Sequence, residues 1–333
     1  MSDEWVPDVL GSPFEQRTLA LEPDAEGEVV ATLARLKPPR WAALLGPLRD
    51  VDVLYLHGWS DYFFQVELAR FWAHLGATFH ALDLRKYGRS LRPGQTPGFT
   101  TSLDVYDEDI AAALAAMRHP IAKTDAGSGR RLVMMGHSTG GLTATLWAAR
   151  HPGALDALVL NSPWLELQLG TLGRQALAPL VQVRARFDPL GTHPVVDLGF
   201  YTRAQTEVGV LPIAGYQREW RPERGFPTHP GWLAAIIDGH RRVASGVDTG
   251  CPTMVMLSTK STNPLVWNAD MTASDSVLVV DDIARAAVRI GSDMTVARID
   301  GGIHDLFLSR PGPRSAAYET LEGWLTRGAL RRR

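Results

Sequence analysis

The sequence predicts an α/β protein: a mostly parallel sheet with helices on both faces, interrupted by one long insertion. Three observations carry that expectation. From residue 51 short apolar runs alternate with stretches of helical periodicity, the pattern of parallel strands joined by crossover helices. The alternation stops between residues 163 and 250 and then resumes. Hydrophobic residues make up 45% of the 333 positions, enough to bury a sizeable core.

Taken in order, the chain opens with two β-rich runs, 16–21 and 28–36, flanking the turn-rich Pro23-Asp24-Ala25-Glu26-Gly27, so a hairpin is expected. Next come the strand VDVLYLHGW, a helix over 63–75, the strand ATFHALDL and a helix over 103–117. The strand RRLVMMGHS, a helix over 142–149 and the strand LDALVLNS follow. After the insertion, CPTMVMLST is a strand, followed by a helix near 281–289, a strand over 294–299 and a closing helix near 315–327. The insertion has Leu-rich helical stretches, many aromatics, and prolines at 179, 189, 194, 212, 222, 227 and 230. An insertion between two strands of an open parallel sheet sits over their carboxyl ends, where ligands bind, so it is a candidate lid. The short patch Ala126-Gly127-Ser128-Gly129 reads as a loop before a strand.

Lys plus Arg number 34 against 36 Asp plus Glu, a net charge of −2, so no broad basic field exists to hold nucleic acid. A small molecule is the expected partner. Cys251 is the single cysteine, which excludes an internal disulfide or a multi-cysteine metal site; preceding Pro252 at a strand start, it reads as a structural thiol. The segment MSDEWVPDVL is acidic and lacks the basic and apolar regions of a secretory signal, so a cytoplasmic location is expected. Residues 132–149 lack charge, but glycines and polar residues break them, so no integral membrane segment is expected. Arg331, Arg332 and Arg333 read as a solvated end. Oligomeric state is not legible.

The chemical signal is Gly136-His137-Ser138-Thr139-Gly140, placed after an apolar strand and before a helix. A G-x-S-x-G elbow needs that context: the strand turns sharply into the helix, the serine hydroxyl projects alone, and the glycines leave room for the bend. At the helix N-terminus, free amides can stabilise developing negative charge. The bland alternative is a serine that merely caps the helix. A serine nucleophile needs an imidazole to take its proton. His304, in Asp300-Gly301-Gly302-Ile303-His304-Asp305 after the last strand, has the right place; His119, His151, His193, His229 and His240 do not. His57 and His137 adjoin the expected pocket but precede the acid in chain order. For the acid, the loop 258–276 offers Asp275 and, as runner-up, Asp270; Asp281 and Asp282 suit the first turn of the next helix. The backbone amides of Thr139 and Trp59, the latter in His57-Gly58-Trp59, are the expected oxyanion donors.

These segments, with Leu82-Asp83-Leu84-Arg85-Lys86-Tyr87-Gly88-Arg89-Ser90 and Gly301-Gly302-Ile303-His304-Asp305, resemble the α/β-hydrolase superfamily, in particular its monoacylglycerol lipase and lysophospholipase-like serine hydrolases. The resemblance runs from about residue 50 to the end. It implies an α/β-hydrolase core over 1–162 and 251–333, a helical cap over 163–250, a Ser138, Asp275, His304 triad, and oxyanion amides from Trp59 and Thr139. No H-E-x-x-H, paired Cys-x-x-Cys or P-loop occurs, so no cofactor and no metal are expected. One departure stands out: the family usually has a short Gly-x-x-Asp turn where this chain has the longer 258–276 stretch. Asp83 reads as a brace for loops near the site.

Ser138 at the elbow disfavours the aspartate-nucleophile dehalogenase and epoxide hydrolase branches. Trp164, Phe187, Phe200, Tyr201, Tyr216, Trp220, Phe226 and Trp232 could line an acyl pocket or form lid core. The expected activity is hydrolysis of a small, partly apolar carboxylic ester, such as a monoacylglycerol or medium-chain alkyl ester. Two alternatives stand beside it. A proline-type aminopeptidase would need lid acids to hold an amine, and Glu166, Glu207, Glu219 and Glu223 are available. A non-catalytic small-molecule binder of the same fold would not need nucleophile, base and oxyanion loop together.

Overall fold

The computed structural model describes residues 4–119, 129–167, 171–192 and 197–331. The expectations for residues 126–128, His193, Pro194, Arg332 and Arg333 lie outside them. The described chain runs β1 (Val6–Pro7), β2 (Glu15–Asp24), β3 (Gly27–Leu36), α1 (Arg40–Leu45), β4 (Val51–Leu56), α2 (Val66–His74), β5 (Thr78–Asp83), α3 (Tyr106–Met117), β6 (Arg131–His137), α4 (Thr139–Arg150) and β7 (Ala157–Asn161). It continues with α5 (Thr171–Phe187), α6 (Phe200–Glu207), α7 (Pro230–Ala244), β8 (Thr253–Ser258), α8 (Val280–Ala287), β9 (Met294–Ile299) and α9 (Pro311–Trp324). The strands form one sheet in the order β1-β2-β3-β5-β4-β6-β7-β8-β9. β1, β2, β3 and β5 pair antiparallel in sequence, and every pairing from β5 to β9 is parallel.

The sheet is mostly parallel and covered on both faces, as expected. Successive residues of a strand point to opposite faces, so β4 sends Leu54 and Leu56 into one core and Val53 and Tyr55 into the other. The first core is closed by Ile110 of α3, Trp147 of α4 and Ile283 of α8; the second by Trp72 of α2 and Leu321 of α9. Each fully buried large apolar side chain contributes about 1.5–3 kcal/mol relative to exposure. Trp232, Ile236 and Val243 of α7 belong to the first core, so the last helix of the 163–250 segment packs with the sheet's own helices.

Differences from the sequence reading are local. The hairpin is longer than 16–21 and 28–36, because Asp24 Oδ1 accepts the Glu26 amide at 2.8 Å and Lys86 Nζ bridges Asp24 and Glu26 at 2.5 and 2.6 Å. The helix expected from residue 63 starts at Val66, since the amides of Phe63 and Phe64 bond instead to Asp83 Oδ1 and Gln65 Oε1, at 2.9 and 3.0 Å. The helix expected from residue 103 begins as a 3₁₀ turn over Leu103–Val105. β1 and α1 have no counterpart in the expected elements; a two-residue strand and a six-residue helix are too short to show a period. Asp83 does brace loops: its Oδ2 accepts the Arg89 amide at 2.9 Å and Arg89 Nη1 at 2.8 Å, while Arg89 also grips Asp8. Among the described residues no helix is long and apolar enough to cross a membrane.

Candidate active site

β6 leads straight into Ser138, whose backbone is held at φ 53°, ψ −118°, a positive φ that a side chain with a Cβ rarely adopts. Such a conformation costs on the order of 1–3 kcal/mol and persists only where the surroundings fix it. Here the Ser138 amide donates to Asn161 O at 3.1 Å, and its carbonyl accepts the amides of Gly141, Leu142 and Trp164 at 2.9, 3.2 and 3.0 Å. The flanking glycines are required by close approach. A Cβ on Gly136 would lie 2.6 Å from Gly140 O, and one on Gly140 would lie 2.2 Å from His57 O. The Ser138 side chain makes no capping hydrogen bond to α4, so the capping alternative has no support in the geometry.

His304 stands in the loop after β9, 2% exposed, with the Ile303 amide donating to Ser309 Oγ at 3.0 Å. Its Nδ1 lies 2.9 Å from Asp275 Oδ2. Donation to that carboxylate places the proton on Nδ1 and leaves Nε2 as the acceptor of the ring. Asp275 is fully buried, and its other oxygen accepts the amides of Val277 and Leu278 at 2.8 and 2.7 Å. The long stretch after β8 is pinned there, because the Asp275 amide donates to Lys260 O and its carbonyl accepts the Thr262 amide, at 2.9 and 2.8 Å. Asp270 sits exposed in a 3₁₀ turn over Ala269–Thr272. Asp281 and Asp282 lie in the first turn of α8.

His57 is fully engaged with the backbone: Nδ1 faces Gly58 O at 2.8 Å and Nε2 accepts the Leu84 amide at 3.1 Å. The ring of His137 lies 4.8 Å from that of His304, with its Nδ1 3.1 Å from Asn161 O, and burial holds its pKa below the ordinary imidazole value. Gly58 brings the loop after β4 against Ser138: a Cβ there would stand 3.2 Å from Ser138 Cβ. Thr139 opens α4, where the first amides of a helix have no intrahelical partner.

Ser138, Thr139, His304, His137 and Trp59 line one cavity of about 550 Å³. One part of its wall is apolar, from Trp164, Leu167, Phe226, Trp232, Leu233 and Leu278. Another is polar and carries Asp61 and Arg221, buried and 3.0 Å apart. Burial opposes the Arg221 charge, but Asp61 beside it, together with Tyr216 and Tyr201, outweighs burial and raises the guanidinium pKa. Of the eight aromatics singled out in the insertion, Trp164, Tyr201, Phe226 and Trp232 reach the cavity. Tyr216 and Trp220 pack on Tyr62, Phe200 on Trp267, and Phe187 is 86% exposed. Of the four acids, Glu223 lines the cavity and pairs with Arg218, while Glu207 pairs with Arg203 at 2.8 Å on the surface. Among the described residues no group of three or more His, Cys, Asp or Glu side chains is placed to hold a metal ion.

Asp61 and Arg221 escaped the sequence reading because a buried ion pair joining residues so far apart leaves no local pattern. Asp305 and Asn161, which bond side chain to side chain at 2.8 Å behind His304, were equally silent, although Asp305 adjoins the histidine in the chain.

The sheet order, the helices on both faces and the elbow at the carboxyl end of β6 define an α/β-hydrolase. Residues 49–310 match the family model described as Serine aminopeptidase, S33, and the chain belongs to that family of α/β-hydrolases. Lysophospholipase L2 of Escherichia coli is 24% identical over 285 residues, covering 80% of this chain and 78% of that protein. Two solved structures share the fold. A monoglyceride lipase of Saccharomyces cerevisiae has a TM-score of 0.64 at 14% identity, with 93% of this chain and 95% of that one covered. A carboxyl esterase of Bacillus coagulans has a TM-score of 0.63 at 14% identity, with 95% and 99% covered. By family the chain is thus an α/β-hydrolase.

Proposed function

We propose that this chain is a serine carboxylic-ester hydrolase acting through an acyl-enzyme, with Ser138 as nucleophile, His304 as general base and Asp275 as the carboxylate that orients it. The observation that carries the reading is the 2.9 Å bond from His304 Nδ1 to Asp275, made by a ring that shares one cavity wall with Ser138. Nε2 takes the Ser138 proton as Oγ attacks the ester carbonyl, then returns it to the leaving alcohol; water repeats the cycle to release the acid. The amides of Trp59 and Thr139 stabilise the oxyanion, each donor being worth roughly 3–4 kcal/mol in such sites. Residues 163–250 act as a cap over a core of 1–162 and 251–333. No cofactor takes part, and a cytoplasmic location belongs to the same reading.

The substrate is a small, partly apolar ester, its acyl chain against Trp164, Phe226, Trp232 and Leu278 and its alcohol toward Asp61 and Arg221. A paired carboxylate and guanidinium suit an uncharged hydroxylated alcohol, which can donate to one and accept from the other. The family's description favours a second reading, an aminopeptidase. Against it, two of the three cavity acids, Asp61 and Glu223, are each paired with an arginine, which leaves Asp197 to supply the negative field a substrate amine needs. Turnover of p-nitrophenyl esters of graded chain length, with a prolyl amide as control, separates the two: ester turnover without amide turnover supports esterase, and the reverse overturns it. Turnover of neither would favour a non-catalytic binder.

A further inference from the structure

Asn161 closes β7 fully buried, with its main chain and side chain serving two different loops. Its carbonyl accepts the Ser138 amide at 3.1 Å and faces His137 Nδ1 at 3.1 Å. Its side chain donates from Nδ2 to Asp305 Oδ1 at 2.8 Å and accepts the Leu306 amide on Oδ1 at 3.3 Å. One residue therefore grips the nucleophile elbow and the two residues that follow His304.

Asp305 is 1% exposed. Besides Asn161, its carboxylate accepts the Phe307 amide at 3.1 Å and Gln65 Nε2 at 3.2 Å. Among the described residues no lysine or arginine pairs with it. Burying a carboxylate without a cation is costly, and two apolar side chains of similar volume would fill the space more cheaply. The orientation of the imidazole does not need Asp305, because Asp275 already holds Nδ1.

We propose that Asn161 and Asp305 are positioning residues, a lock that sets the approach of His304 to Ser138. The inference rests on the serine-hydrolase reading above. Its physical basis is that Ser138 follows β6 while His304 follows β9, with β7 and β8 between them in the sheet. The base loop thus takes its position from longer-range contacts, and the Asn161 side chain supplies one from the residue whose carbonyl fixes the elbow. A reacting pair displaced by 1 Å loses about 100-fold in rate.

The test is the rate of active-site labelling by a fluorophosphonate, which needs no choice of substrate, in wild type, Asn161→Ala and Asn161→Asp at pH 5.5 and pH 8. Asn161→Ala should label about 100-fold more slowly, and on any ester turned over, kcat should fall with little change in KM. In Asn161→Asp the new carboxyl meets Asp305, and two carboxyls in contact hold a shared proton more tightly. Protonated, it still donates to Asp305 and accepts from Leu306; ionised, it repels Asp305. The other titratable groups around the pair are His304, His137, Tyr55, Tyr201 and Tyr318, and burial keeps the tyrosines protonated. The labelling rate of Asn161→Asp relative to wild type should therefore fall at least tenfold from pH 5.5 to pH 8. Wild-type labelling of Asn161→Ala, or a flat ratio for Asn161→Asp, overturns the lock. Should Asn161→Ala fail to fold, the Asn161→Asp ratio decides alone. A wild type that does not label overturns the serine-hydrolase reading, and the lock with it.

Discussion

Arg221 Nε lies 3.0 Å from Asp61 Oδ1, joining the segment before α7 to the loop after β4 on the wall of the candidate active site. Both side chains are largely buried, so removing one leaves the other's charge poorly solvated. Truncating one partner of such a pair destabilises by about 3–5 kcal/mol, whereas replacing both with apolar groups is often neutral. Arg221→Met should therefore lower the unfolding midpoint strongly, and Arg221→Met combined with Asp61→Leu should recover most of the loss. Thermal unfolding of the two variants checks this, and additive losses would mean that the charges are not coupled.

The two candidate acids differ sharply in setting. Asp275→Asn removes the acceptor that fixes the His304 tautomer, and kcat for an ester should drop about 10³-fold or more. Asp270→Asn, at an exposed 3₁₀ turn, should change kcat less than about twofold. Steady-state kinetics on one p-nitrophenyl ester decide, and the opposite order would move the assignment to Asp270.

Leu233 of α7 forms part of the apolar wall. Leu233→Trp should shift the optimum acyl length toward shorter chains by filling that space, with short esters turned over near the wild-type rate. An unchanged chain-length profile would show that acyl groups do not lie along α7.

His80 of β5 is buried, and burial pulls its pKa from 6.5 down to about 4, outweighing the opposing pull of Asp52. A depressed value in the folded state means that the neutral form is favoured by folding. Its contribution is fully present above about 6.5 and is lost as the pH falls toward 4, amounting to about 3 kcal/mol at most. Urea midpoints at pH 7 and pH 4.5 should converge in His80→Phe relative to wild type. Equal pH sensitivity in the two proteins would show that His80 does not carry it.

Much of this architecture was readable from period and punctuation alone. β9 has its expected bounds, 294–299, a short β-rich run ending at the turn residues Asp300-Gly301. The elbow was legible because the strained residue, its two glycines and the flanking strand and helix lie together in sequence. Asp275 is harder to read: the loop after β8 holds two aspartates, and the parallel bridge to Ser261 that accompanies the burial of Asp275 joins residues too far apart to leave a local pattern. The polar wall was invisible, because Asp61 and Arg221 are brought together by the docking of the 163–250 segment rather than by local pattern. Which aromatics face the cavity was hidden for the same reason: Trp232 reaches it through packing 3.7 Å from Trp59, ring centroid to centroid.

The proposed chemistry depends on the hydroxyl of Ser138, held at a positive φ and free of any capping role. Its most direct test is fluorophosphonate labelling and p-nitrophenyl ester hydrolysis by Ser138→Ala, alongside a thermal melt. The expected result is loss of both activities with an unfolding midpoint close to wild type. Ester turnover retained by the folded variant would contradict it.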